Sequence, residues 1–263
     1  MHPISFRISP TAKLLAMFLA CSLLSLDYPV QAQQSFIRIM VEDAAEPWSY
    51  PDGSGYANEV VLAAFQAVDV PVKLEVVPYA RCKSQVLSAA VPACFSMGWL
   101  PEFSGVLRFS SKPLFKVNAD VFEHVEHPIP RTLSTECKFK KDMHLGVTRG
   151  YEYPEEILAL NKNGIVFVEA VTDQNSLKML AAKRFSAAII MTNDFEPKSR
   201  KISLSGTGDK VRYAFNCGVQ LGSIGFSLKH SQGVALFEKF ESGYQKIETN
   251  GTLKKIQKRW FPP

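Results

Sequence analysis

The spacing of apolar positions switches repeatedly between a period of two and one near 3.6. Residues 36–41 (FIRIMV) predict a strand, and 56–68 predict a helix with Val60, Val61, Ala64, Phe65 and Val68 on one face. Between them, 47–55 is rich in turn formers. A strand at 72–77, a helix at 80–90 and a strand at 93–97 follow. The order restarts with a strand at 143–147, a helix near 155–161, a strand at 165–169, a helix at 176–184 and a strand at 187–191. Such alternation predicts an α/β chain with a mostly parallel sheet covered by helices. Two blocks of similar size predict two lobes. Residues 115–124 and 218–226 read as strands crossing between them. Near the C-terminus, Ser231 caps a helix with Leu236, Phe237, Phe240, Tyr244 and Ile247 on its apolar stripe. Asn250-Gly251 stops it, and a short helix carrying Leu253, Ile256 and Trp260 ends the chain.

The N-terminus sets the expected compartment. Arg7 and Lys13 precede an apolar run over 14–26, and Val30 and Ala32 stand at the −3 and −1 positions of a cleavage site. This reads as a secretory signal peptide over 1–32, with export to the periplasm. The run is short for a membrane span, and Phe18-Leu19-Ala20-Cys21 makes a poor lipobox. The formal charge of +5 is mild and interspersed with acids. Lys254, Lys255, Lys258 and Arg259 read as a solvated helix face, so no nucleic-acid partner is expected. Cys82, Cys94, Cys137 and Cys217 lie beyond the leader, and an even count in an exported chain predicts two disulfides. Three pairings are open. A helix running back along its next strand would bring Cys82 to Cys94, which leaves Cys137 for Cys217.

Five segments, in order, resemble the family 3 periplasmic solute-binding proteins, the polar amino-acid receptors of ABC importers. They are Glu46-Pro47-Trp48-Ser49-Tyr50 with Gly55-Tyr56; Pro101-Glu102 through Leu107-Arg108-Phe109-Ser110; Leu145-Gly146-Val147-Thr148-Arg149-Gly150; Leu180 through Ala187; and Asn250-Gly251-Thr252 through Phe261. The resemblance implies a type II (Venus flytrap) periplasmic binding protein fold of two α/β lobes, with two crossing strands as the hinge. Lobe one would be 33–118 with 224–263, and lobe two 119–223. It also implies a monomeric receptor, without cofactor, that captures a small molecule and passes it to an ABC permease or presents it to a sensor ectodomain. Two departures bear on the ligand. Phe103 stands where the family's amino-acid receptors carry an arginine for the ligand carboxylate, and in Met191-Thr192-Asn193-Asp194 the aspartate that takes the ammonium is absent or shifted. The resemblance therefore implies a small polar, aromatic or cationic ligand rather than an ordinary α-amino acid.

Candidate ligand-binding residues cluster at strand ends, where open α/β sheets place ligands. Trp48 and Tyr50 follow the first strand as aromatic walls. Arg81 begins a helix and offers an anion contact. Ser96, Met97, Gly98 and Trp99 end the third strand, and Phe103 adds an aromatic floor. Thr148, Arg149 and Tyr151 surround a strand-to-helix turn with free backbone N–H groups, and Asn193 ends a lobe-two strand. No nucleophile, metal or nucleotide motif occurs, and Glu123, His124, Glu126 and His127 read as a solvated loop rather than a metal site. No enzyme activity is expected. The alternative is a cleft enzyme of the same fold, a cyclohexadienyl dehydratase-like lyase, for which Glu42, Glu59 and Glu152 are the candidate acids.

Overall fold

The structure is a computed structural model and describes residues 36–130 and 137–262. The expected leader lies outside the described residues. The first α/β block holds β1 (Ile37–Glu42), α1 (Tyr56–Gln66), β2 (Val72–Val77), α2 (Tyr79–Leu87), β3 (Ala93–Met97) and β4 (Leu107–Phe109). Strand β5 (Phe115–His124) leads to β6 (His144–Thr148), α3 (Glu155–Lys162), β7 (Val166–Ala170), α4 (Asp173–Ala181), β8 (Ala187–Thr192) and α5 (Ser199–Ser205). Strand β9 (Val211–Ser227) returns, and α6 (Gly233–Thr249) and α7 (Thr252–Trp260) close the chain. The strand order is β2-β1-β3-β9-β5-β8-β6-β7, with β4 also on β9. Strands β1, β2 and β3 run parallel, as do β6, β7 and β8, while β5 and β9 are antiparallel to their neighbours. This is the expected two-lobed architecture, joined by two long antiparallel strands.

Each lobe buries apolar side chains on both faces of its sheet. In lobe one, Ile39, Phe65, Phe95, Phe226 and Phe240 pack under α1 and α6, and Met40, Val86, Met97 and Phe103 pack under α2. In lobe two, Val121, Leu145, Ile157 and Ile189 fill one face, and Phe122, Leu177, Leu180 and Ile190 the other. Cys82 on α2 bonds Cys94 on β3, and Cys137 bonds Cys217 on β9, which are the two expected pairs.

The structure corrects the second crossing strand, which is 17 residues long rather than the nine expected from 218 to 226. Gly218 adopts a φ of 120°, and the pairing with β5 shifts register between Asn118 and Asp120. That kink resets the alternation, so the two halves of β9 do not share one apolar phase. The structure also adds β4 and α5, and it puts the N-cap of α6 at Gln232 rather than Ser231.

Candidate functional site

The carboxyl ends of β1, β3, β6 and β8 converge on a partly open cavity of about 50 Å³ between the lobes. That is room for a few water molecules, and the two sides touch across it where Tyr151 donates to Glu42 and the Gly98 amide to Glu152. From lobe one it is lined by Glu42, Glu46, Trp48, Ser96 and Gly98, and from the strands joining the lobes by Phe115 and Gln220. Lobe two contributes Tyr151, Glu152, Asp173, Thr192 and Lys201.

The Trp48 loop is held by a buried amide. Asn58 Nδ2 donates to Ser49 Oγ at 3.0 Å and to the carbonyls of Gly53 and Ser54 at 2.9 and 3.0 Å. Ser49 Oγ in turn donates to the Glu42 carbonyl at 2.6 Å. So anchored, Trp48 stacks on Phe115 with centroids 4.7 Å apart and planes 5° from parallel. Ser96 sits at a φ of 73°, a backbone region costly for a side-chain-bearing residue. Its buried hydroxyl has no hydrogen-bond partner among the described residues and lies on the cavity wall.

Glu42, Glu46, Glu152 and Asp173 bring carboxyl groups to the lining. Glu42 accepts from the Tyr151 hydroxyl across the cleft. Burial pushes its carboxyl up to about 8; Asp173 and Asp43 raise it further, while Tyr151 and Lys201 oppose. Asp173 opens α4, accepts from Thr148 Oγ1 at 2.7 Å and lies 3.6 Å from Lys201 Nζ. Burial raises its pKa, against Lys201 and Thr148. Glu152 is likewise raised by burial, against the pull of Lys83 and Tyr79. Lys201 is the one cation among the residues that line the cavity.

Of the residues singled out in the sequence, Trp48, Ser96, Gly98 and Tyr151 line the cavity, and Thr148 touches it through Asp173. The others lie elsewhere. Tyr50 stacks on Trp260 at 6.2 Å. Arg81 is exposed on α2, and Trp99 is 57% exposed. Met97 and Phe103 are buried in the core under α2. Arg149 is exposed and pairs with Glu169 at 3.0 Å. Asn193 caps a turn by accepting from the Phe195 and Glu196 amides at 2.8 and 2.9 Å. Of the candidate acids, Glu42 and Glu152 face the cavity, whereas Glu59 pairs with Arg259 and accepts from Trp260 Nε1 at 2.7 Å. Sequence reasoning missed Asp173 and Lys201. The Asp173 position at the start of a helix after β7 was a readable signal; Lys201 had none. Among the described residues no group of three or more His, Cys, Asp or Glu is placed to hold a metal ion. No described helix is long and apolar enough to cross a membrane.

No protein-family model and no curated protein matches the chain in sequence. Solved structures do match in fold. A histidine kinase sensor domain with similarity to periplasmic binding proteins is 16% identical at a TM-score of 0.71, covering 86% of this chain and 96% of that one. The substrate-binding protein of an amino-acid ABC transporter is 12% identical at 0.67, covering 87% and 100%. The ancestral amino-acid-binding protein AncCDT-1, a precursor of cyclohexadienyl dehydratase, is 13% identical at 0.63, covering 86% and 95%. At such identities the likeness establishes the fold, a two-lobed periplasmic binding protein architecture.

Proposed function

We propose that this chain is an exported, periplasmic solute-binding protein whose cleft captures a small molecule bearing a compact cationic group. One observation carries the reading: Glu42, Glu46 and Asp173 converge on an interlobe cavity in which Lys201 is the one lining cation, itself beside Asp173. A cation arriving beside them lowers the raised Glu42 pKa, so the carboxyl ionises and repays part of the cation's lost hydration, and Trp48 offers a flat apolar wall beside it. An α-carboxylate finds much less. Phe103 is in the core, Arg81 is exposed and Arg149 pairs with Glu169, so no guanidinium lines the cavity. A missing charged partner costs about 2–5 kcal/mol, enough to move a micromolar receptor toward millimolar. We place lobe one at 36–118 with 224–262 and lobe two at 119–223. The pivot lies at the register shift beside Asn118; the boundary at 223/224 falls where β9 already pairs with β3. The chain serves a permease or a sensor. Calorimetry against the common amino acids and a panel of small amines and guanidines tests the reading. Micromolar binding is expected among the cations and not among neutral or acidic amino acids; tight binding of an acidic amino acid overturns it.

The buried Glu42, with its raised pKa, favours a second reading, a lyase that uses this carboxyl as a general acid. Turnover of a hydroxylated cyclohexadiene acid, lost in Glu42→Gln, would replace the binding reading.

A further inference from the structure

Glu152 belongs to lobe two, in the loop between β6 and α3, yet the partners its carboxylate meets are all on lobe one, with hydrogen bonds on Oε2 and an ion pair alone on Oε1. Oε2 accepts from the backbone N–H of Gly98 at 3.0 Å and from the Tyr79 hydroxyl. Oε1 faces Lys83 Nζ at 2.8 Å as an ion pair, and the same ammonium donates to the Gly150 carbonyl at 3.0 Å. Lys83 in turn lies 5.3 Å over the Phe103 ring. An amide N–H, a hydroxyl and an ammonium converging on two oxygens are what a desolvated carboxylate needs. The approach is close: a Cβ on Gly98 would stand 2.8 Å from the Glu152 Cβ and 2.0 Å from Gln220 Nε2, so glycine leaves the space for it.

We propose that Tyr79, Lys83 and the Gly98 amide form a carboxylate-binding site on lobe one that Glu152 occupies from the opposite lobe, so the cleft is held closed by the chain's own tethered acid. The cation-binding reading does not enter this inference. A free carboxylate added to the resting protein finds the site filled. Removal of the Glu152 carboxylate both releases the lobes and vacates the donors.

Two readouts on the purified protein, with no solute added, test it. In small-angle scattering, Glu152→Ala has a larger radius of gyration than the wild type. In amide NMR, acetate shifts the Gly98 resonance in Glu152→Ala about tenfold more readily than in the wild type, as expected when one charge-assisted partner is displaced. The added Lys83→Ala change abolishes that shift. Glu152→Gln keeps the shape and loses the charge, so it is expected between the two in both readouts. It also stands in should the alanine variant fail to fold. Variants as compact as the wild type, or an equal acetate response in all proteins, overturn the proposal. Neither result bears on which solute the cavity takes.

Discussion

At the scale of single residues, Glu42 couples the cleft to pH. Burial lifts its carboxyl from 4.5 to about 8, so the folded chain holds this proton more tightly than the unfolded chain does. The stability it contributes is therefore fully present below about pH 4.5 and is lost as the pH rises toward 8. Glu42→Gln stays neutral throughout and still accepts from Tyr151. The stability of this variant is expected to fall less than that of the wild type across the window, the difference being on the order of a few kcal/mol at most, which melting curves taken across the pH range read out. Parallel melting curves against pH would show that Glu42 is not the group responsible. Single residues also mark where sequence reasoning stops. Gly98 and Trp99 are neighbours, yet one lines the cavity and the other is 57% exposed; both follow Met97, the last residue of β3, where strand alternation no longer sets direction. Residue type put aromatic and basic groups near the site; side-chain direction decided which entered it.

At the scale of elements, the turn after β8 carries the aromatic side of the closure. Phe195 stacks on Phe261, at the end of α7, with centroids 3.8 Å apart, and meets Trp48 edge-on at 5.8 Å. Lys116 and Asp194 pair at 2.6 Å beside it. Phe195 stays 57% exposed, so its contribution rests on these ring contacts rather than on a core. Ring pairs are worth roughly 0.5–1.5 kcal/mol each beyond their area. Phe195→Ala is expected to raise the open population about tenfold while leaving far-UV circular dichroism unchanged, and interlobe fluorescence transfer would detect it. An unchanged transfer efficiency would mean these rings rest on each other without holding the lobes. The elements themselves were mostly readable, since β1 to β3 and β6 to β8 keep a steady apolar pattern. Helix α5 was not, because Ser199–Ser205 has too few apolar residues to show a period, and Lys201 was lost with it.

At the scale of the whole molecule, the two-lobed plan was legible because strands and helices alternate twice and two crossing segments lie between the blocks. The cleft was legible only in part. Its lobe-one rim follows strand ends that sequence can place, whereas the Asp173–Lys201 pair depends on how α4 and α5 pack together. The 17-residue β9 has one further consequence. It pairs with β3 and β4 in one lobe and with β5 across the junction, so it is a structural strand of both. Neither lobe can melt alone without stripping a hydrogen-bonded neighbour from the other's sheet. Two lobes that share this strand are thus expected to denature as one. Calorimetry should give a single heat-absorption peak whose measured enthalpy equals the value inferred from its sharpness, and two resolved peaks would show that the shared strand transmits motion without transmitting stability.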